Sequence, residues 1–313
     1  MQNIKLKIDL LRDLGQKGIW QFSAYLAPLP EEDRLSLNEG NTPEDPFEEI
    51  FFKREDQNPT GSLKDRGMAY LISKKRSEGV KSLVLSSSGN AAVSAASYCR
   101  LSGIQLFVFV APKINPMKLK LIQEKGVEVF QSRRPVSDAV KFAKEKKIPN
   151  LRPSGSSFGP EGFQTIAFEL AINQGYLGDL FLPVSSGVSL KGIYEGFKKL
   201  GFLPRLHACQ STAVCPIARA FDKDFVPEKE SLTDSLVAKF TPLQHEVIRI
   251  LKESRGGGWV INKAEVREAA EKLEKEGITT SNEGALTLAG YYKAKKKSGK
   301  LGSVVCLLTG RKY

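Results

Sequence analysis

Short apolar runs alternate with segments of helical length along most of the chain. SLVLS (82–86), IQLFVFV (104–110), VEVF (127–130), DLFLPV (179–184), LHACQ (206–210) and SVVCLL (303–308) read as strands. The segments between them predict helices over 61–79, 90–102, 115–125, 136–147, 161–174, 190–200, 263–276 and 283–297. Strands this apolar, separated by helices, imply βαβ units and parallel sheets covered on both faces. The pattern weakens between 221 and 258, where DKDFVPEKESLTDS is a charged connection. The triplet Gly256 to Gly258 reads as a turn ahead of the strand-like WVIN, because no helix start follows it to complete a phosphate cradle.

Composition narrows the classes. At 313 residues the chain is long enough for two domains. No apolar run reaches the roughly 18 residues of a membrane span. The N-terminal MQNIKLKIDLLRD carries charges throughout and lacks the apolar core of a secretory signal, so the expected compartment is the cytoplasm. Cys99, Cys209, Cys215 and Cys306 form no CxxC pair, and with only His207 and His245 besides, no metal site is expected. The net charge of +12 raises the question of nucleic acid. The lysines of SKKRSEG, FAKEKK and YYKAKKKSGK instead gather near predicted helix C-termini, where the dipole favours cations. Basic runs with interleaved aromatics are absent, so no nucleic-acid partner is expected. The field suits small anionic metabolites.

Four stretches could carry chemistry. In QNPTGSLKDRG (57–67), Ser62 and Asp65 have the spacing of a capping box, which sets Lys64 in the first helical turn. The ammonium form is disfavoured there, as a Schiff-base lysine requires. The plain alternative is a solvated lysine on a capped helix. In SSSGN, Ser87, Ser88 and Gly89 open a helix N-terminus suited to an anion, and Asn90 offers both a donor and an acceptor. In VSSGVS, up to four backbone N–H groups of the run Ser185, Ser186, Gly187, Val188 and Ser189 can converge on a phosphate with serine hydroxyls assisting, although many strand–helix turns look similar. Thr309 ends the last strand, at the edge where open parallel sheets place ligands.

In order and spacing, these stretches resemble the fold type II pyridoxal-phosphate enzymes, and within them the threonine synthases. The resemblance runs from LNEGNTP (37–43) through KREDQNPTGSLKDRGMAY, SSSGN, EGFQTIAFELA, VSSGVS, PIARAF and EGITTSNEGALTLAG to VVCLLTG. It implies two open, mostly parallel sheet domains flanked by helices, with pyridoxal 5'-phosphate in the cleft between them. The larger, cofactor-phosphate domain would comprise 1–62 and 160–313, and the smaller, mobile one 63–159. Lys64 would carry the cofactor aldehyde and move protons on the substrate. Asn90 would bond the cofactor's 3′-oxygen, Ser185 to Ser189 its phosphate, and Thr309 would face its ring nitrogen. Ser87, Ser88 and Gly89 would take the substrate carboxylate. A hydroxyl beside the ring nitrogen tempers the electron sink, which suits elimination and replacement over transamination.

The implied reaction converts O-phospho-L-homoserine and water to L-threonine and phosphate. Two positions depart from the family pattern: Ala91 and Gly159 stand where a threonine and an arginine commonly serve the substrate phosphate, and Arg152 is the expected substitute. A serine or threonine deaminase, or a cysteine-synthase-like β-replacement enzyme, is the alternative; a non-catalytic binding protein is the second. The expected partner is a small amino-acid substrate, with a possible homodimer.

Overall fold

A computed structural model describes residues 12–234, 236 and 238–313. Residues 1–11, most of the stretch argued above to lack a signal core, lie outside the described residues. The described chain enters the fold through a hairpin of β1 (Glu44–Phe47) and β2 (Ile50–Lys53). It then lays down β3 (Ser82–Ser86), β4 (Gln105–Val110) and β5 (Glu128–Gln131) as a separate parallel sheet. It returns as β6 (Asp179–Pro183), β7 (Arg205–Ser211), β8 (Gly257–Ile261) and β9 (Val304–Leu307). These join the hairpin in a six-stranded sheet of order β1-β2-β9-β6-β7-β8, parallel except at β1.

The connecting helices are α1 (Lys64–Ser77), α2 (Asn90–Ser102), α3 (Pro116–Gln123) and α4 (Pro135–Lys146) around the smaller sheet. Around the larger sheet lie α5 (Gln164–Gln174), α6 (Val188–Leu200), α7 (Gln244–Glu253), α8 (Lys263–Lys275) and α9 (Asn282–Ser298). Every residue of β6, β8 and β9 is buried, because helices cover both faces. Along β6, Leu180 and Leu182 face α5, α6 and α7, while Phe181 faces α8 and α9. A further core joins the smaller sheet to α1, α2, the 19–35 segment and Phe168 of α5.

The two tryptophans sit in different cores. Trp20 packs beside α1 and donates its indole N–H to the Leu35 carbonyl (2.7 Å). Trp259 of β8 donates to His207 Nδ1 (3.1 Å), which leaves the His207 hydrogen on Nε2, bonded to Asp179 (2.8 Å). Burial holds the His207 pKa below its usual value, against the pull of Asp179.

The alternation predicted from the sequence holds, with ends shifted by a few residues. The β1–β2 hairpin and α7 were not anticipated: β1 is a four-residue edge strand containing Pro46, and α7 follows the charged connection. The glycine triplet is corrected, since Gly257 and Gly258 belong to β8. A Cβ on Gly256 would lie 1.8 Å from the Leu206 carbonyl oxygen, and one on Gly258 2.5 Å from Ala218 Cα. Close backbone packing, rather than a turn, requires these glycines.

Candidate active site

Beyond β2 the chain continues along the end of β9. The Asp56 N–H donates to the Leu308 carbonyl (2.8 Å) and the Leu63 N–H to the Thr309 carbonyl (3.1 Å); Ser62 and Gly310 form an antiparallel bridge. Lys64 therefore begins α1 at the C-terminal edge of the larger sheet, where open parallel sheets bind ligands. Gly61 turns the chain there with φ +86°, and a Cβ on it would fall 1.7 Å from Arg311 Nε.

The expected capping box does not form. Leu63 occupies the N-cap position, and Ser62 Oγ accepts weakly from the Lys64 N–H (3.3 Å). The Asp65 carboxylate turns away to the Thr60 amide (2.6 Å), the Thr60 hydroxyl and Ser94 Oγ (2.6 Å). Asp65 thus ties the lysine turn to α2, one helical turn beyond Asn90.

The half-buried Lys64 places its Nζ 5.8 Å from the centre of the Phe163 ring. Burial pulls its pKa from the usual 10.5 to about 8, opposed by the charge of Glu283. Glu283 lies in the first turn of α9, which Ser281 fastens to the same edge by donating its N–H to the Gly310 carbonyl (2.8 Å). Sequence reasoning quoted this segment without singling out Glu283; the available signal was a carboxylate at a helix start beside a serine.

Asn90 opens α2, and its Oδ1 is buried without a hydrogen-bond partner among the described residues. Its Nδ2 lies against Gly310, where a Cβ would approach to 2.6 Å. Ser281 Oγ, also buried and unpartnered among the described residues, would lie 3.7 Å from that same Cβ. Two side chains that each carry an orphaned oxygen thus meet over one glycine. In the serine loop, Ser87 Oγ accepts from the Gly89 N–H (3.2 Å) and Ser88 Oγ from the Ala111 N–H (2.7 Å). Both hydroxyl hydrogens are left to donate elsewhere.

The Ser185–Ser189 turn joins β6 to α6. Phe181 of β6 pairs with Cys306 of β9, so the turn leaves the sheet beside Thr309. Gly187 has φ +89°, and the Ser186 carbonyl is anchored by Thr241 Oγ1 (2.6 Å). The N–H groups that open α6 face the same edge, as an anion requires. Phe163 ties this helix to the lysine helix: a Cβ on Gly67 would fall 2.6 Å from its ring, and one on Gly192 2.8 Å from its Cβ.

Arg152 lies on the segment that pairs with β3. Its backbone runs beside Ser86, two residues past the Asn150–Val84 bridge, but its side chain is exposed. Gly159 is buried, and a Cβ there would lie 2.0 Å from the Pro153 carbonyl oxygen, so no side chain fits at this position. A cleft of about 630 Å³ between Tyr176, Phe202, Arg205 and Arg255 opens at the opposite edge of the sheet and takes no part in the site. Among the described residues no His, Cys, Asp and Glu group could hold a metal ion, and no helix is long and apolar enough to cross a membrane.

An amine of lowered pKa, a helix-start phosphate cradle and an orphaned amide oxygen are the donor set that a phosphorylated aromatic aldehyde would need. Comparison with known proteins agrees. The family model described as "Pyridoxal-phosphate dependent enzyme" matches residues 35–310. Threonine synthase of Methanocaldococcus jannaschii is 29% identical over 94% of this chain and 80% of its own length. That of Synechocystis is 30% identical over 91% and 81%. Among solved structures, maize serine racemase superposes with a TM-score of 0.75 at 18% identity, covering 84% of this chain and 83% of its own. Serine racemase from Dictyostelium discoideum gives 0.73 at 22%, covering 84% and 87%.

Proposed function

This chain belongs to the family of pyridoxal-phosphate dependent enzymes, and from that premise we propose that it is a threonine synthase-like lyase. O-Phospho-L-homoserine loses phosphate, water adds, and L-threonine leaves. The curated relatives named threonine synthase, matched over nine-tenths or more of the chain, support the substrate. The observation that carries the site reading is the convergence on the Thr309–Gly310 edge of Lys64, with its lowered pKa, and Asn90, whose Oδ1 is buried and unpartnered among the described residues.

When bound, pyridoxal phosphate supplies the electron sink that acidifies the substrate's carbons. The protein's own groups do the rest. Lys64 Nζ would hold the cofactor's aldehyde carbon, and as an amine of lowered pKa it is suited to accept and return protons on the substrate. The Asn90 side chain holds the cofactor's 3′-oxygen. The backbone N–H groups of Ser185, Ser186, Gly187, Val188 and Ser189 hold its phosphate, and the Thr309 hydroxyl meets its ring nitrogen. The hydroxyls of Ser87 and Ser88, with their acceptor sides already engaged, donate to the substrate carboxylate beside Gly89. The larger lobe would be built on the six-stranded sheet and the smaller on β3, β4 and β5, with the 19–35 segment, expected in the larger lobe, packed against the smaller. The enzyme works in the cytoplasm, in threonine biosynthesis.

A second reading draws on Gly159, which has no room for the arginine that the family resemblance would put there. It assigns a phosphate-free substrate: deamination of serine or threonine, or β-replacement. Holoenzyme supplied separately with O-phosphohomoserine, serine and threonine separates the two. We expect phosphate and threonine in equal amounts from the first. Silence there, with ammonia or keto acid from serine or threonine, would transfer the assignment to the second reading.

A further inference from the structure

With Gly159 bare and Ala91 lacking a hydroxyl, a phosphorylated substrate needs a cation from elsewhere. Lys118 lies in the first turn of α3, whose start is capped by Asn115 accepting from the Met117 and Lys118 amides (2.9 and 3.3 Å). The residue is only 6% exposed, yet its ammonium makes no hydrogen bond among the described residues. The carboxylate paired with it, on the exposed Asp234, is 3.9 Å away, and its other neighbour is the Tyr313 ring, 5.1 Å to the centroid. The Lys118 stem is packed away but its ammonium, with only that long ion pair, is not enclosed; a fully enclosed ammonium has close partners. Lys53 shows the usual solution, with Thr42 O, Glu44 and Glu169 at 2.8, 3.2 and 2.8 Å.

Each neighbour of Lys118 leads back to Lys64. The Tyr313 hydroxyl donates to the Thr60 carbonyl (3.0 Å), and Thr60 is bound by Asp65, next to Lys64. Asp234 lies two residues beyond Leu232, whose carbonyl accepts from Asn282 (2.8 Å) at the start of α9. On its own side, α3 packs on α2 and follows Ala111, whose N–H is held by Ser88. The neighbours of this ammonium are thus tied to the lysine turn and the α9 start, and its helix follows the serine loop. Arg311 adds a second positive charge over the same Tyr313 ring, at 5.9 Å.

We propose that Lys118 binds the phosphate of the amino-acid substrate, exchanging its long contact with Asp234 for charge-assisted hydrogen bonds. The assignment rests on the reading above that the substrate is phosphorylated, and it passes over Arg152. Calorimetric titration of the cofactor-loaded enzyme with inorganic phosphate tests it independently of turnover. Lys118→Met weakens phosphate binding roughly tenfold to a hundredfold, the loss of one or two charge-assisted bonds. Lys118→Arg keeps binding within a few-fold of wild type, Asp234→Asn tightens it, and Arg152→Ala leaves it unchanged. The cofactor absorbance band, unaltered in each variant, shows that the site is intact. The KM for O-phosphohomoserine follows the same order. Wild-type enzyme that binds no phosphate, a Lys118→Met protein that binds it normally, or a loss confined to Arg152→Ala overturns the assignment. Should Lys118→Met protein not fold, the Lys118→Arg and Asp234→Asn results decide. Phosphate binding that depends on Lys118 in an enzyme inactive on O-phosphohomoserine keeps this site and rejects the proposed reaction.

Discussion

Lys64 stands where burial and the positive end of α1 both oppose its charge, and stability should record that opposition. Its folded pKa, about 8, lies below the usual 10.5. Between those values the unfolded chain binds the extra proton, so this group's contribution to stability rises with pH there. Below about pH 8 the full penalty is present, since the folded protein must hold the ammonium. Cofactor-free Lys64→Met protein should therefore melt higher than wild type at pH 7, with the gap narrowing as the pH approaches 10.5. A gap independent of pH would show that packing, not titration, separates the two. In cofactor-loaded enzyme, borohydride should fix the cofactor to the peptide containing Lys64; label on any other lysine would reject the assignment. Lys64 was legible because the turn before it, the helix after it and the distant SSSGN and VSSGVS stretches form one ordered pattern. Glu283 and Lys118 were not, since their significance comes from neighbours more than a hundred residues away.

At the scale of elements, a buried ionic network locks the lysine helix in place. Arg66 reaches Glu55 (2.7 Å) and Glu169 of α5 (2.7 Å), and Glu169 also binds Lys53 of β2 and the Asn41 N–H. The two cations hold the Glu169 carboxyl well below the usual range despite its burial. Removing one member strands its partners, so Glu169→Gln should lower the unfolding free energy by about 3–5 kcal/mol, read by urea titration. Gly187 is the corresponding point on the phosphate side. An alanine there must accept φ +89° and a methyl 2.5 Å from Val247 Cγ2. Gly187→Ala should cost about 1–3 kcal/mol in the cofactor-free protein and also weaken cofactor retention in dialysis. Cost without loss of retention would separate the turn from the cofactor phosphate. The βαβ alternation was legible because covered parallel strands are buried throughout and mostly apolar, as β9 is and as β6 is beyond Asp179. The β1–β2 hairpin was not, because an edge strand tolerates the charges and proline of EDPF. The capping-box spacing misled because Asp65 is drawn into bonds with Thr60 and Ser94, which no local pattern encodes.

Across the whole molecule, Lys64, Asn90, the Ser185–Ser189 turn and Thr309 come together although nearly the full chain separates the first from the last. Ligand binding to such an assembly stabilises the folded state as a unit: saturation to 100 times the dissociation constant adds about 2.7 kcal/mol. Pyridoxal phosphate should thus raise the melting temperature of wild-type protein distinctly more than that of Gly187→Ala. Equal shifts would mean that the turn contributes nothing to the hold. The placement of the two indoles makes such events visible region by region. Trp20 belongs to the core around α1 and the smaller sheet, and Trp259, its N–H donated to His207, to the core beneath α8 and α9. Trp20→Phe and Trp259→Phe proteins therefore carry one tryptophan each, so denaturation followed by selectively excited tryptophan emission in the pair tells whether the two regions melt together or in sequence.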